Sequence, residues 1–196
     1  MITLELVQYH LQKQQVKKII EKHHSYVPSN RSVGRRIDWL IYHSEHTNDK
    51  FPSECIGMIG IGSSVYPPPK DLLSYVGMTK SEYKDNFNSF GNNWRYCMTK
   101  PIPNAGSQIL KQLRYHAPIE WKKKYKNFLT HLITFVGGGN NGAVYRADNW
   151  DMVGYTAGLP EHDMVSMKWN SKEELKEKFV KPTGENKKLI FVMSVK

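Results

Sequence analysis

The segment from Phe128 to Gly158 constrains the fold of this chain more than any other stretch. Its first part, Phe128 to Val136, is a run of β-branched, aromatic and other apolar residues that predicts a buried strand. A glycine-rich loop follows at 137–142, where positive φ angles or close backbone approach cost little. Ala143 to Trp150 then predicts a short helix, and Met152 to Thr156 predicts a returning strand. The segment is therefore expected to form a βαβ-like corner.

This corner has two interpretations, and both stay open on the residues alone. The N–H groups at the start of its helix can hold an anion or a developing oxyanion. The same geometry also occurs as an ordinary tight connection. Tyr145, inside the predicted helix, also has two interpretations. Its phenol suits a general acid that returns a proton to a thiol leaving group, or its hydroxyl simply bonds a carbonyl within the core.

The length of 196 residues, with no internal repeat and no obvious linker, predicts that residues 1–196 form one domain, and hydrophobic periodicity predicts mixed helices and strands within it. Residues 67–93 are irregular and rich in polar residues, so they are expected to form an insertion over one edge of the sheet. Pro118 is expected to end a helix, which would place the basic residues 122–126 in a loop. The other expected elements are strand Ile2–Val7, helix Tyr9–His24, strands Arg36–His43 and Cys55–Val65 as a hairpin, strand Trp94–Thr99, a helix opening at 101–107 and running to His116, a helix from Ser171 to Val180, and strand Leu189–Val195.

Composition excludes several classes of protein. With 39% hydrophobic and 12% aromatic residues, the chain is typical of globular rather than disordered proteins. No apolar run reaches the roughly 18 residues that a membrane span needs, and no secretory signal is visible at the N-terminus. Two cysteines, Cys55 and Cys97, are too few for a disulfide framework or an all-cysteine zinc site. We therefore expect a cytoplasmic protein without a membrane segment.

Basic residues outnumber acidic ones by 28 to 18, which gives a formal net charge of +10. This excess favours a nucleic-acid partner, because cations that contact phosphates supply most of the non-specific affinity for DNA. The alternative is a solvated basic surface with no partner. The basic residues cluster on one predicted helix and two predicted loops, and these clusters are Lys13, Lys17, Lys18 and Lys22; Arg31, Arg35 and Arg36; and Lys122, Lys123, Lys124 and Lys126.

The common catalytic motifs are missing from the chain. No two of its eight histidines stand at the i, i+4 spacing of a helical zinc site, so no metal is expected. There is no GxSxG nucleophile motif and no phosphate-binding loop that ends in Gly-Lys-Ser/Thr. Cys97 lies inside a predicted strand and is expected to be a small core residue rather than a nucleophile.

A second junction between strand and helix lies at Lys100 to Ser107. It offers free N–H groups beside a glycine, as a pyrophosphate group requires, with Asn104 or Ser107 as the expected N-cap. If the fourth and fifth strands are neighbours, this junction and the Tyr145 loop open at the same edge of the sheet. The anionic part of a donor would then lie on Asn104, Ala105, Gly106 and Ser107.

Three stretches carry a resemblance to a known family. They are His-His-Ser-Tyr at 23–26, Asn-Asn-Trp-Arg-Tyr-Cys at 92–97 before the helix start at 103–107, and Gly-Ala-Val-Tyr-Arg-Ala-Asp-Asn-Trp at 142–150. Together with the order of elements, they resemble the GNAT acyltransferase fold, an α/β (α+β) arrangement in which helices flank a mixed, mostly antiparallel central sheet. More narrowly, they resemble the GNAT-like phage DNA-modification proteins of the Mom type and the related proteins of Druantia-type defence systems.

The resemblance implies transfer of a small acyl- or aminoacyl-like group onto a base of phage DNA, which protects that DNA from restriction. It also implies that Arg95 and Tyr145 are important for activity. Two departures from the family stand out. Glycines at 137–139 replace an aspartate after the fifth strand, and the Gln/Arg-x-x-Gly-x-Gly/Ala signature is missing at Asn104. The donor therefore stays unknown, with acyl-CoA and another activated donor both possible.

The leading hypothesis is a DNA-base modifying transferase in which Arg95 orients the donor or a phosphate and Tyr145 donates a proton. The base would be contacted by His24, Tyr26, Asn149 and Trp150, inside a basic rim that includes Arg35 and Arg36. One alternative is a conventional acyl-CoA N-acetyltransferase that acts on a small amine or a protein. Another is a non-catalytic nucleic-acid-binding module of a defence or counter-defence system. The leading hypothesis requires Arg95 and Tyr145 to face a common cleft.

Overall fold

The structure is a computed structural model that describes residues 1–23, 34–44, 54–137, 139–156 and 187–195. The strands within these ranges are β1 Ile2–Leu6, β2 Arg36–His43, β3 Glu54–Ser63, β4 Phe90–Met98, β5 His131–Val136, β6 Asp151–Tyr155 and β7 Leu189–Ser194. The α-helices are α1 His10–His23, α2 Lys70–Val76, α3 Lys80–Asp85, α4 Ala105–Tyr125 and α5 Ala143–Ala147, and a short 3-10 helix spans Phe87–Ser89. The predicted helix Ser171–Val180 lies outside the described residues.

The strands form one sheet in the order β1-β2-β3-β4-β5-β7-β6. Each pair of neighbours is antiparallel except β4 and β5, which run parallel. The predicted fold class, a mixed and mostly antiparallel sheet flanked by helices, is therefore confirmed. β7 lies between β5 and β6, so the predicted βαβ-like corner has another strand inserted between its own two strands.

Helices cover both faces of the sheet, which we call the α4 face and the α1 face. On the α4 face, Trp39 and Ile59 belong to the same core as the buried side of α4. Their chain neighbours Leu40 and Met58 point the other way and pack with α1. Further along the sheet, the α1 face is covered by α2 and α3 through the core residues Leu72, Tyr83, Phe90, Ile133, Ile190 and Val192. Because both faces are covered, β2 and β3 are nearly continuous apolar runs rather than alternating ones.

Helix α4 is longer than predicted, because Pro118 lies inside it rather than at its end. A proline inside a helix removes one backbone hydrogen bond and is normally unfavourable. Here the apolar side of the helix continues past it, and both Ala117 and Trp121 are fully buried. The indole of Trp121 also donates a hydrogen bond of 2.9 Å to the carbonyl of Asn88. Packing therefore overrides the local signal, and the predicted loop at 122–126 is instead the last turn and C-cap of α4.

The predicted insertion forms α2, α3 and the 3-10 helix, while its last residues, 90–93, already belong to β4. It lies over the α1 face and also reaches the edge strand β6, where Asp71 accepts a hydrogen bond of 2.9 Å from the N–H of Tyr155. Helix α3 begins at a capping box made by Thr79 and Glu82. Among the described helices, none combines the length and hydropathy that a membrane span requires.

Candidate active site at the gap between β4 and β5

The candidate site is a gap that opens inside the sheet between β4 and β5. These strands pair only from Phe90–His131 to Asn92–Ile133. Beyond those pairs β4 continues to Met98 against β3, and β5 continues to Val136 against β7, so the two strands part. The edge of β4 that faces the gap consequently has no strand partner among the described residues. An extended ligand can add to such an edge through backbone hydrogen bonds.

Tyr145 lies at the narrow end of this gap. Its hydroxyl donates a hydrogen bond of 2.7 Å to Oδ1 of Asn93 on β4, and Thr134 of β5 lies 3.5 Å away. Its ring stacks on Phe191 at 5.6 Å and is only 6% exposed. The hydroxyl thus bridges β4 and β5 immediately beyond their last pair. This contact matches one of the two interpretations given from sequence, a buried phenol bonded to a carbonyl, because Oδ1 of Asn93 is the carbonyl oxygen of a side-chain amide.

The segment after Tyr145 is fixed to α4 by a partly buried ion pair. Asp148 is 5% exposed, and its two oxygens accept hydrogen bonds of 2.8 and 2.9 Å from the guanidinium of Arg114. The indole of Trp150 donates to the same carboxylate at 3.0 Å. A bidentate pair of this kind has a defined geometry, so it holds α5 and its tyrosine in place. Sequence reasoning missed Arg114, because its partner lies 34 residues away.

A β-bulge in β4 decides which residues face which side of the gap. Asn93 pairs with Ile61, and Arg95 pairs with Gly60, so Trp94 is the extra residue of the bulge. Tyr96 packs in the core of the α4 face. Because strand residues alternate, its neighbour Arg95 points to the α1 face, where its guanidinium lies 4.8 Å from the Trp94 ring.

The expected common cleft of Arg95 and Tyr145 is therefore wrong. The two side chains reach the gap from opposite faces of the sheet, Tyr145 from the α4 face and Arg95 from the α1 face. On its own side, Arg95 donates a hydrogen bond of 2.7 Å to the carbonyl of Trp94. Its charge also reaches Lys188 before β7, where burial first and Arg95 second lower the pKa of the lysine. Without a structure, the bulge that produces this arrangement is invisible.

A buried carboxylate lies on the α1 face beside the bulge. Asp38 is 9% exposed and accepts hydrogen bonds from Arg36 at 2.6 Å and from the Trp94 indole at 3.1 Å. Burial raises the pKa of Asp38, and the charge of Arg36 opposes that effect. Gly60 leaves room for this contact, since a Cβ there would overlap Asp38 and Trp94. The sequence signal was a charged residue within the apolar run of β2, and sequence reasoning did not use it.

The start of α4 matches the predicted donor junction only in part. Asn104 is the N-cap residue in a left-handed conformation, with φ of 58°, and its side chain makes no capping hydrogen bond. The N–H of Ala105 already donates to the carbonyl of Ile102 at 3.2 Å, and the first-turn N–H groups that follow have no partner within the helix, so they can serve a ligand. Gly106 has a different role from the one expected, because a Cβ there would overlap Val144 of α5. Ala105 is buried, and the Ser107 hydroxyl donates to the Asn104 carbonyl at 3.4 Å.

The other predicted contacts are scattered. Trp150 is 4% exposed, so it is a core residue and the expected stacking on a base is wrong. Asn149 is exposed with φ of 57° at the turn after α5. Arg35 and Arg36 lie at the start of β2, whereas His24 and Tyr26 fall outside the described residues. In the described parts of the chain, no three His, Cys, Asp or Glu side chains are grouped as a metal site would require.

No family model matches the sequence, and no curated protein matches it. Solved structures do match across the whole fold. Arabidopsis thaliana NAA60 in complex with acetyl-CoA is 13% identical, with a TM-score of 0.56 over 100% of this chain and 99% of that one. An acetyltransferase assigned to the GNAT family from Desulfovibrio desulfuricans is 7% identical, with a TM-score of 0.53 over 100% of both chains. FeeM, an N-acyl amino acid synthase from uncultured soil microbes, is 8% identical, with a TM-score of 0.51 over 100% and 92%.

These likenesses show that the chain has the fold of the GNAT acetyltransferases, as its order of elements predicted. They do not extend to the narrower resemblance to Mom-type and Druantia-type proteins.

Proposed function

We propose that this protein is a GNAT-type acyltransferase that takes an activated acyl group from a thioester donor bound in the gap between β4 and β5. The observation that carries the proposal is the position of the Tyr145 hydroxyl, which lies at the narrow end of the gap, 2.7 Å from Asn93. The shared fold of NAA60, solved in complex with acetyl-CoA, supports the same conclusion.

The residues around the gap fit a donor of the acyl-CoA class. The unpaired edge of β4 offers backbone N–H and C=O groups to an extended, amide-containing arm. The start of α4, with Asn104 and Ser107, offers N–H groups to a diphosphate. At the narrow end, Oδ1 of Asn92 is buried with no hydrogen-bond partner in the described structure, so a polar group there is still to be satisfied. When bound, the donor supplies an activated acyl carbon and a thiolate leaving group.

Tyr145 is the proton donor in this proposal. In the resting structure Asn93 accepts its hydrogen bond, and the hydroxyl turns from Asn93 to the thiolate sulfur when it gives up this proton. The Arg114–Asp148 pair holds the following turn, so that the hydroxyl keeps its place. Burial of the ring excludes water from around the proton. Proton transfer by a positioned side chain contributes typically about 10²–10⁴-fold to a rate.

The test compares Tyr145→Phe with Tyr115→Phe, since Tyr115 is 68% exposed on α4 and serves as a matched control. Release of free thiol from acetyl-CoA would be followed with DNA, protein and small amines as acceptors. We expect Tyr145→Phe to lower the rate by about 100-fold or more, with acetyl-CoA affinity retained. An unchanged rate in a folded Tyr145→Phe protein would overturn the role of the phenol. Absence of any acetyl-CoA binding by calorimetry would overturn the choice of donor.

For the acceptor, we propose a base in DNA, modified after it has left the duplex. This form of the hypothesis gives up the common cleft of Arg95 and Tyr145, and its support is the net charge of +10 and the motif around Tyr145. The resemblance to Mom-type proteins adds that the modification protects phage DNA from restriction. Removing a base from the stack costs a few kcal/mol, which cationic and aromatic contacts can offset. Mass spectrometry of nucleosides from cells that express the protein tests the proposal, and a digest without any new nucleoside contradicts it.

A conventional amine acceptor is the second candidate. The structural neighbours favour it, because FeeM and the Desulfovibrio protein are described as acting in N-acylation or acetylation. Asp38 also favours it, since a buried carboxylate with a raised pKa beside the β4 bulge suits a base that accepts a proton from an amine. Thiol release with small amines but not with DNA would select this candidate. Salt-dependent DNA binding without any thiol release would instead indicate a non-catalytic binding module.

A further inference from the structure

We infer that the C-terminal end of α4 and the start of β2 together form a binding surface for single-stranded DNA. We call this surface the basic-aromatic patch, and it consists of Arg35, Arg36, Lys122, Lys124, Lys126 and Phe128. The inference rests on the proposed acceptor class and adds to it the place where the nucleic acid is held and the strand state that is recognised.

The first observation is that two basic segments far apart in sequence are joined. Lys124 donates a hydrogen bond of 2.8 Å to the carbonyl of Arg36. The Tyr125 hydroxyl donates to the same carbonyl at 2.9 Å and accepts from the Arg36 N–H at 2.7 Å. Arg35 donates to Asn127 at 2.7 Å, and its guanidinium lies 4.9 Å from the Tyr125 ring. The start of β2 and the end of α4 therefore form one surface.

The second observation is the balance of charge on the patch. Two described acidic side chains are paired with basic residues of these segments. Asp38 is buried and paired with Arg36, and a carboxylate oxygen of Glu120 lies 3.8 Å from the ammonium group of Lys123. Lys122, Lys124 and Lys126 are exposed. The end of a helix carries roughly half a negative charge, which would repel a phosphate. Three exposed lysines outweigh that half charge, so the surface attracts a polyanion.

The third observation is an exposed aromatic ring among these cations. Phe128 is 67% exposed, and the ammonium group of Lys122 lies 4.4 Å from the centre of its ring. Nucleic-acid bases stack on such rings only where they have left a duplex, and every base offers a π-face. Cations that track phosphates, with an aromatic platform between them, are the combination that single strands use. This is the reason for choosing single-stranded rather than duplex DNA.

The patch is continuous with the gap. The guanidinium of Arg36 lies 4.0 Å from the ring of Trp94, the extra residue of the β4 bulge. Arg95 lies 4.8 Å from the same ring. A DNA single strand bound to the patch can therefore present a neighbouring nucleotide to the α1 face of the gap. On that face the indole of Trp94 donates its hydrogen bond to Asp38.

The experiment measures binding of a fluorescent single-stranded oligonucleotide of mixed sequence by anisotropy, across a series of salt concentrations. A triple variant, Lys122→Gln, Lys124→Gln and Lys126→Gln, removes the three lysines of the patch and leaves its two arginines. The matched control, Lys13→Gln, Lys18→Gln and Lys22→Gln, removes the same charge from the exposed side of α1. Phe128→Ala tests whether the exposed aromatic ring contributes to the affinity for the oligonucleotide. Duplex DNA and vesicles that contain phosphatidylserine are the competing ligands.

We expect the patch triple variant to lose at least about 10-fold in affinity and to lower the salt slope of log K by about 2, at roughly 0.7 per phosphate contact. Phe128→Ala should lose about 5- to 100-fold with its salt slope unchanged. Equal losses in the patch and control triples would overturn the inference, as would tighter binding of duplex or of vesicles than of the single strand. An unaffected Phe128→Ala variant would overturn the single-strand assignment.

Failure here is distinguishable from failure of the proposed transferase. If the patch variants bind DNA as the unmodified protein does while thiol release depends on Tyr145, only the surface is assigned wrongly. If binding depends on the patch and no acceptor yields thiol, the surface stands and the transferase proposal fails.

Discussion

The phenol of Tyr145 donates its hydrogen bond to the side-chain amide oxygen of Asn93, and this 2.7 Å contact joins α5 to β4 where β4 leaves β5. The amide nitrogen of Asn93 donates in turn to the carbonyls of Gly60 and Arg95, at 2.8 and 3.1 Å. One buried asparagine therefore holds both the bulge of β4 and the proposed proton donor. Its loss affects two structural features together.

Replacing this asparagine tests how strongly the two features are coupled. Asn93→Ala leaves the Tyr145 hydroxyl and the Gly60 carbonyl without their partner, and an unsatisfied buried group costs about 1–3 kcal/mol. We expect the free energy of unfolding, measured in urea, to fall by about 3 kcal/mol. In the double variant with Tyr145→Phe, the loss of unfolding free energy should be smaller than the sum of the two single losses by about 1 kcal/mol. Strictly additive losses would show that the two side chains do not interact in solution.

The glycine loop offers a matched pair of substitutions. Gly142 has φ of +72°, and a Cβ there would overlap the ring of Phe191, whereas Gly139 has φ of +77° and open space around it. Gly139→Ala should therefore cost only the strain of a left-handed alanine, about 1–2 kcal/mol. Gly142→Ala adds a steric conflict in the core and should cost about 1–3 kcal/mol more. Chemical denaturation of both variants checks this, and equal losses would contradict the packing of Phe191 on Gly142.

The two cysteines should differ in reactivity. Burial raises the pKa of Cys97 to about 11, and its thiol is 4% exposed beneath α1, where it donates to the carbonyl of Ile19. Since the thiolate is the reactive form, iodoacetamide at pH 8 should modify the half-buried Cys55 well before Cys97. In guanidinium chloride both should react at similar rates. Peptide mass spectrometry measures the two rates, and rapid native modification of Cys97 would show that α1 does not protect it.

Stability should fall on mild acidification because of His131. Its ring stacks on Phe90 at 5.1 Å, and burial lowers the pKa of the imidazole. The unfolded chain, whose histidine has a pKa near 6.5, therefore takes up the proton more readily than the folded one. The contribution of the neutral ring is complete above that pH and is lost as the pH falls through the lower folded pKa. His131→Gln should reduce the fall in unfolding free energy between pH 7.5 and 5.5, and an identical fall in both proteins would contradict this.

Much of the fold could be predicted because local patterns and packing agree. β2 was predicted with its observed bounds, Arg36–His43, from the alternation of Ile37, Trp39 and Ile41 with the residues between them. The order of elements led to the correct sheet class through its resemblance to the GNAT fold. The corner around Tyr145 was also located correctly, with α5 at Ala143–Ala147 and β6 directly after it.

What could not be predicted depends on contacts between distant residues. Pro118 carries a strong local signal to end a helix, yet buried Trp121 on the next turn keeps α4 intact. A single extra residue at Trp94 moves Arg95 to the other face, and no pattern in the sequence marks where such a bulge falls. Asp38 and Arg114 acquire their roles only through partners on other elements.

The place of β7 between β5 and β6 has a consequence for how the protein is made. A ribosome delivers both flanking strands before it delivers the one that joins them. Until then, each presents a bare edge to solvent or to a neighbouring nascent chain. The part of the sheet made by β5, β7 and β6 can therefore form only after translation has passed residue 194. Chaperones that bind during synthesis should bind mainly to these strands.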